Sequence, residues 1–175
     1  MINLIDRAIE QFLRERVPLP EASIGLAFDA PDSAWGAALN RPTVNVFLWE
    51  ICRAGAGVAS TGLPERRVAN GQTERRPASP VIDFHYLITG WASEMRDEHQ
   101  LLGLVLRAVL THPKLPDGYL PDGVASGACT LALAGADEPI RGDFWSALGG
   151  KLKPALKLRL SVPLAVFCWQ AAGEP

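Results

Sequence analysis

VIDFHYLITGWASEMRDEHQLLGLVLRAVLT, residues 81–111, is the stretch that decides the fold of this 175-residue chain. Its first part alternates apolar and more polar residues, which is the period-two pattern of a β-strand with one strongly apolar face. The apolar positions of this strand are Ile82, Phe84, Tyr86 and Ile88. Its second part carries apolar residues at helical spacing, so the stretch predicts one buried strand that leads directly into one long buried helix.

The predicted helix begins near Ser93, whose side chain can cap a helix N-terminus. Glu94, Asp97 and Glu98 follow in the first turns, where the helix dipole favours negative charge. Two apolar stripes then run side by side along the helix. One stripe consists of Leu101, Val105, Ala108 and Val109, and the other of Leu102, Leu106 and Leu110. We expect a sheet to cover one stripe and either the first helix, through Ile5, Ile9 and Phe12, or another subunit to cover the second.

Length and composition are those of one ordinary globular domain spanning residues 1–175. The chain is 48% hydrophobic and 21% charged, and its net charge of −2 gives no reason to expect a nucleic-acid partner. The N-terminus mixes charged residues into its apolar positions, unlike a signal peptide, and no later segment is apolar enough to span a bilayer. We therefore expect a soluble, cytoplasmic protein without a membrane partner. The cysteines are expected to be buried thiols: Cys52, Cys129 and Cys168.

The rest of the chain predicts a mixed β-sheet flanked by helices, an α/β or α+β fold. The expected first helix covers residues 3–17. Residues 31–39 are expected to form a turn or a short helix beginning near residue 33, and residues 138–149 a turn that enters a short helix. The expected further strands cover residues 23–29, 42–51, 127–134 and 153–162. The strand at 42–51 is apolar on both faces and should lie centrally in the sheet. The strand at 153–162 points Lys157, Arg159 and Ser161 outward, and it is a candidate pairing edge for a strand of another protein.

Residues 53–80 are rich in Gly, Ala, Pro and Arg, and their centre predicts a β-hairpin arm at about residues 64–77. Asn70-Gly71 favours a type I′ turn, and a basic pair lies on each side of it, Arg66-Arg67 and Arg75-Arg76. A plain loop is the alternative. The arm has too few apolar residues to be stable alone, so we expect it to be mobile or held by a partner. The C-terminal tail, at about residues 163–175, carries Phe167 and Trp169 and is more apolar than a free terminus needs.

Catalytic motifs are not evident in the sequence. Asp83 and His85 lie on one strand face and could begin a metal site, but a third ligand cannot be assigned, and a cross-strand hydrogen bond is the simpler interpretation. Glu98-His99 does not continue into HExxH, and neither a GxSxG elbow nor a phosphate-binding glycine motif occurs. We expect no catalytic, cofactor-binding or metal-binding residues. The alternative is a small α/β enzyme using Asp83, His85 and Glu50.

Several segments in one order resemble a known family: RPTVNVFLWEI (41–51), RRVANGQTERRP (66–77), DFHYLITGWA (83–92), DEHQLLGLVLRAVLTHPKLP (97–116) and DFWSALGGKLKPALKLRLSVPL (143–164). This is the DUF4255 family, the Pvc16-like tail terminator or cap proteins of contractile injection systems, which are relatives of contractile phage tails. The resemblance runs from the first helix to about residue 163. Some family members carry an additional C-terminal domain, which these 175 residues do not include.

The resemblance implies a structural role in which six copies form a ring at the baseplate-distal end of the tube and sheath. The ring would end polymerisation and cap the particle, and its expected partners are further copies of itself, the inner tube protein and the sheath protein. An adaptor that joins the tube to another particle component is the alternative. The candidate interface residues are Arg66, Arg67, Arg75, Arg76, Lys157, Arg159, Phe167 and Trp169.

Overall fold

The computed structural model of the chain describes residues 1–55, 64–69, 71–122, 124, 129–135 and 142–171. Its helices are α1 (Ile2–Arg16), α2 (Ser33–Ala38), α3 (Met95–Thr111) and α4 (Gly142–Ala147), with a 3-10 turn at Asp117–Tyr119. Its strands are β1 (Gly25–Ala27), β2 (Thr43–Arg53), β3 (Glu65–Ala69), β4 (Gln72–Arg76), β5 (Val81–Trp91), β6 (Thr130–Leu133), β7 (Ala155–Pro163) and β8 (Gln170–Ala171). The mixed sheet flanked by helices that the sequence predicts is confirmed.

The larger sheet has the order β1-β2-β5-β7-β6, in which only β1 and β2 run parallel. β5 therefore lies at its centre, and β2, the strand that the sequence predicts to lie centrally, is the interior strand beside it. Phe84, Tyr86 and Ile88 point to one face and are buried there against α1 and α3. Ile5, Ile9 and Phe12 of α1 are buried in the same core, so α1 is the intrachain neighbour of this face.

Tyr86 is the largest fully buried side chain of that core, and its hydroxyl donates a 2.8 Å hydrogen bond to Asp6 of α1. Burial, together with this bond to a carboxylate, raises the pKa of Tyr86 far above its ordinary value. A buried hydroxyl without an acceptor would be destabilising. The bond to Asp6 therefore lets a tyrosine occupy the centre of the core and holds α1 against β5.

Helix α3 begins two residues later than Ser93, and the prediction of Ser93 as its cap is wrong. Glu94 is the capping residue, and its side chain makes no capping bond. The turn into the helix is held instead by Glu98, whose carboxylate accepts a hydrogen bond from the Ala92 backbone N–H (3.4 Å) and one from Lys153 Nζ (2.6 Å). The first apolar stripe of α3 is buried as predicted, whereas Leu110 of the second stripe is 65% exposed.

The predicted arm is a β-hairpin of β3 and β4, but it belongs to a second, three-stranded sheet of order β3-β4-β8. β8 comes from the C-terminal tail and pairs with Glu74 and Arg75. Gly71 adopts a φ of 78°, which a turn after β3 requires and glycine tolerates. Asn70, the other residue of the predicted turn, lies outside the described residues, as do 56–63, 123, 125–128, 136–141 and 172–175.

The prediction that the strand at 153–162 forms a pairing edge is wrong. β7 pairs with β5 along residues 155–163 and with β6 at residues 158–161, so it is an interior strand of the sheet. Its polar side chains do not all point to solvent either, because Ser161 is buried and Arg159 half-buried. The alternation indicates a strand correctly, but the second face of the sheet is covered near His85 by the aromatic residues Trp49, Phe144 and Trp145.

Candidate assembly surfaces

The arm has two faces of different character, because each cross-strand pair of the hairpin points its side chains to the same side. On the first face, Arg67 lies opposite Glu74 and Arg76 opposite Glu65. Arg67 Nε donates to Glu74 Oε2 at 2.6 Å, and Arg76 Nε donates to Glu65 Oε2 at 2.8 Å. Two of the four arginines that the sequence marks as interface candidates are therefore neutralised within the arm.

Glu65 also ties the arm to the chain that leaves it, since its second carboxylate oxygen accepts a 2.8 Å hydrogen bond from the Ser79 hydroxyl. Burial alone would raise the pKa of Glu65, but hydrogen bonds from Arg76 and Ser79 outweigh that effect and lower the pKa. The carboxylate is thus charged at neutral pH. The base of the arm is held by an ion pair and hydrogen bonds rather than by an apolar core.

Trp169 lies on this neutralised face between two arginines. The guanidinium carbons of Arg67 and Arg76 are 4.5 Å and 4.4 Å from the centre of its ring, which is the geometry of a cation–π contact. β8 follows immediately and pairs with β4. The sequence predicts that the arm is mobile or is held by a partner. In the structure, the tail of the same chain contacts the arm and provides part of the stabilisation. The sequence feature that could have indicated this contact is a tryptophan in the C-terminal tail of a chain that also contains an arginine-rich hairpin.

The second face of the arm carries unbalanced positive charge. Arg66 and Arg75 lie directly opposite each other, and both are exposed. Val68 and Thr73 form the next pair on this face, and Val68 is 76% exposed. Like charges placed directly across two strands are destabilising, so folding of the arm alone gives no reason for this pair. We call Arg66, Val68, Thr73 and Arg75 the basic arm face.

The remaining interface candidates do not join the basic arm face. Lys157 lies on β7 and donates a 3.2 Å hydrogen bond to the Gly135 carbonyl. Arg159 lies opposite His85 on β5, with a buried Nε for which no acceptor is found among the described residues. Phe167 lies in the tail and is 43% exposed, two residues before Trp169, whose ring contacts Arg67 and Arg76. The structure therefore separates the eight candidates into the arm with its tail and a half-buried pair on the main sheet.

The polar face of the main sheet contains Asp83 and His85, the residues of the enzyme alternative. Asp83 accepts a 2.6 Å hydrogen bond from the Ser161 hydroxyl, which is the cross-strand bond that the sequence suggests. His85 Nε2 lies 3.6 Å from the Sγ of Cys52, and Glu50 is the cross-strand neighbour of His85. Donor atoms of Glu50, Cys52 and His85 all lie within 4.8 Å of one another. Cys52 is thus a third potential ligand that sequence reasoning missed.

Cys52 is half-buried and Cys168 exposed, so only Cys129 is the deeply buried thiol that the sequence predicts for all three. Burial raises the pKa of Cys129 to about 11, with a smaller contribution from the nearby charge of Asp117. Cys129 is therefore protonated at neutral pH and acts as a small apolar side chain. The prediction was wrong for Cys52 because the outer end of β2 is much less covered than its apolar sequence indicates.

The fold of this chain is similar to that of two solved proteins that terminate or cap contractile particles. The sheath/tube terminator of the extracellular contractile injection system PVC, in its extended state, matches with a TM-score of 0.72 and 22% identity over 100% of this chain and 60% of that chain. The tube-terminating cap of the anti-feeding prophage matches with a TM-score of 0.64 and 19% identity over 98% of this chain and 55% of that chain.

The sequence belongs to the family of the Pvc16 N-terminal domain, whose model matches residues 4–168. The resemblance that the sequence motifs suggest is thereby confirmed. No curated protein is similar enough to match the chain. The chain spans about 60% of the length of the first solved terminator and 55% of the second. Among the described helices, none is long and apolar enough to cross a membrane.

Proposed function

We propose that this chain is the terminator subunit of a contractile injection system, and that six copies form a ring on the baseplate-distal end of the tube and sheath. The observation that carries the proposal is the match of the whole chain to two terminators of such particles, together with its family membership. The ring ends polymerisation of the tube and sheath and holds their last layers together. Its assembly takes place in the cytoplasm, and its function needs neither catalysis nor a cofactor.

The basic arm face supports this role because it is built for a contact outside its own subunit. Two exposed arginines opposite each other, next to an exposed valine, are unfavourable in a free monomer. An acidic surface opposite them would neutralise the charge and bury Val68 at the same time. The arm can present this face because Trp169 and the Arg67–Glu74 and Arg76–Glu65 pairs hold it from the other side.

In the ring, the basic arm face contacts an acidic surface of the neighbouring subunit. A double charge reversal, Arg66→Glu with Arg75→Glu, should therefore prevent ring formation and leave a folded monomer. The matched control is Arg7→Glu with Arg96→Glu, which makes the same change in net charge at two exposed helix positions. Native mass spectrometry of wild type and both variants measures the number of subunits directly.

Wild type and the control variant should form six-subunit rings, and the arm variant should not. Wild type remaining a monomer at high concentration would contradict the proposed ring. A ring that survives the arm reversal would reject the neighbouring subunit as the partner. In that case, loss of binding between the arm variant and purified sheath would assign the basic arm face to the sheath.

A further inference from the structure

We propose that Glu50, Cys52 and His85 bind one zinc ion, which ties the outer end of β2 to β5. The three residues offer one carboxylate, one thiolate and one imidazole, a donor set that zinc accepts in proteins. Their donor atoms lie within 4.8 Å of one another. The fourth position of a tetrahedral ion would be left to water, because three ligands come from the protein.

A β-bulge in β2 creates this grouping. Leu48 lies opposite Tyr86, but the next residue to pair is Glu50, opposite His85, so that Trp49 is the extra residue. Without the extra residue, Glu50 and Cys52 would point to the apolar core face of the sheet, because a shift of one residue reverses the face of every side chain. The bulge therefore turns both potential ligands toward His85. Bulges that redirect side chains in this way are common next to functional sites.

The distance between the sulfur of Cys52 and the ring nitrogen of His85 is the one expected for two ligands of the same zinc ion. Zinc lies about 2.3 Å from a cysteine sulfur and about 2.0–2.1 Å from a histidine nitrogen. Two such ligands at a tetrahedral angle are about 3.6 Å apart. The observed separation of Cys52 Sγ and His85 Nε2 is 3.6 Å. The carboxylate of Glu50 lies within 4.8 Å of both atoms, and its side chain is exposed and therefore able to rotate toward them.

The charges around the site are compatible with a bound cation when the negative charges of the ligands are included. Arg159 lies opposite His85 on β7 and would repel an uncompensated positive charge. The carboxylate of Glu50 and the thiolate of Cys52 together balance the two charges of zinc, so the loaded site is neutral. Trp49 packs edge-on against His85, with ring centres 5.8 Å apart, and Phe144 packs against Trp49. These contacts pack the imidazole against an aromatic neighbour.

Zinc at this position would link the end of β2 to β5, close in sequence to the start of the arm. β2 ends at Arg53. The described chain continues to residue 55 and resumes at residue 64, just before the first strand of the arm. The end of β2 is half-exposed and has little apolar cover of its own. A bond from Cys52 through zinc to the buried His85 would fix this end to the central strand of the sheet.

Calorimetric titration of the chelator-treated full chain with Zn²⁺ alone tests the proposal. We expect one ion per chain with a Kd below about 1 μM, the range of ordered protein zinc sites. Cys52→Ser should weaken binding at least about 100-fold, since even the loss of an outer-shell partner costs about 10–100-fold. Cys168→Ser, which removes an exposed thiol elsewhere, should leave binding unchanged.

Co²⁺ provides a second readout, because a thiolate ligand gives a charge-transfer absorption band that serine cannot give. The band should appear in wild type and Cys168→Ser and be absent in Cys52→Ser. Cys52 is half-exposed, so its replacement by serine should not prevent folding, whereas His85→Gln changes a buried residue and needs a circular dichroism control. Absence of zinc binding in wild type, or equal binding in wild type and Cys52→Ser, would overturn the proposal and leave a thiol–imidazole hydrogen bond.

Discussion

Gly90 allows helix α3 to pack directly on the end of β5. A side-chain carbon at this position would lie 2.7 Å from the backbone oxygen of Glu98 and 3.2 Å from its Cα. Neither atom can move without moving the helix. The first turn of α3 is further held by the Glu98–Lys153 ion pair, in which both side chains are largely buried. The absence of one methyl group at residue 90 thus determines how close the helix lies to the sheet.

Gly90→Ala should therefore destabilise the protein by about 2–3 kcal/mol, the upper part of the range for overpacked cores. Gly103→Ala is the matched control, because Gly103 is exposed in the middle of α3 and has open space around it. That substitution should stabilise the protein by about 0.5–1 kcal/mol through helix propensity alone. Urea unfolding of both variants measures the difference. A Gly90→Ala protein as stable as wild type would contradict the close packing.

Single residues differ in how far the sequence predicts their surroundings. Ile5, Ile9 and Phe12 are buried as their helical spacing indicates, because periodicity reports directly which side faces the core. The grouping of Cys52 with His85 could not be predicted, since it depends on the bulge at Trp49 and on which strand pairs with β2. Neither property is local in sequence. The cross-strand hydrogen bond of Asp83 could be anticipated from its place on the strand, but the contact between Cys52 and His85 could not.

At the scale of elements, the arm is the clearest case of a segment that lacks a core and is stabilised by side-chain contacts. Its sequence predicts the hairpin through the Asn-Gly turn and the arginine pairs. The sequence does not indicate that the tail supplies a third strand, because β8 is only two residues long. The order of strands in the main sheet could not be predicted from the sequence either. β7 has the alternation of an edge strand, yet β6 pairs with it from a distant part of the chain.

Trp169→Ala should loosen the arm without unfolding the main sheet. Each cation–π contact at an exposed site is worth about 0.5–1 kcal/mol, so the loss of two should speed amide hydrogen exchange in β3 and β4 by roughly 5–30-fold. Exchange in β5 should not change, because β5 lies in the other sheet. Phe167→Ala serves as the control, since Phe167 lies in the same tail and is partly exposed. Exchange in β3 and β4 of Trp169→Ala at the wild-type rate would show that Trp169 does not support the arm.

The whole molecule combines a main sheet, whose apolar face is covered by helices, with a small, charged arm. The buried face of the main sheet is satisfied within the chain by α1 and α3. The unbalanced features are elsewhere, on the basic arm face and the exposed apolar side chains of the tail. The chain can therefore bury its core without a partner and leave the basic arm face for the contact that the proposed terminator role requires.

Particle length measured by electron microscopy tests the proposed terminator role most directly. Producing cells that lack this protein should make tubes and sheaths of widely varying length, without density at the end distal to the baseplate. Supplying the wild-type protein should restore a single length and the terminal density. Particles of uniform length with normal distal density in the absence of the protein would contradict its role as a terminator.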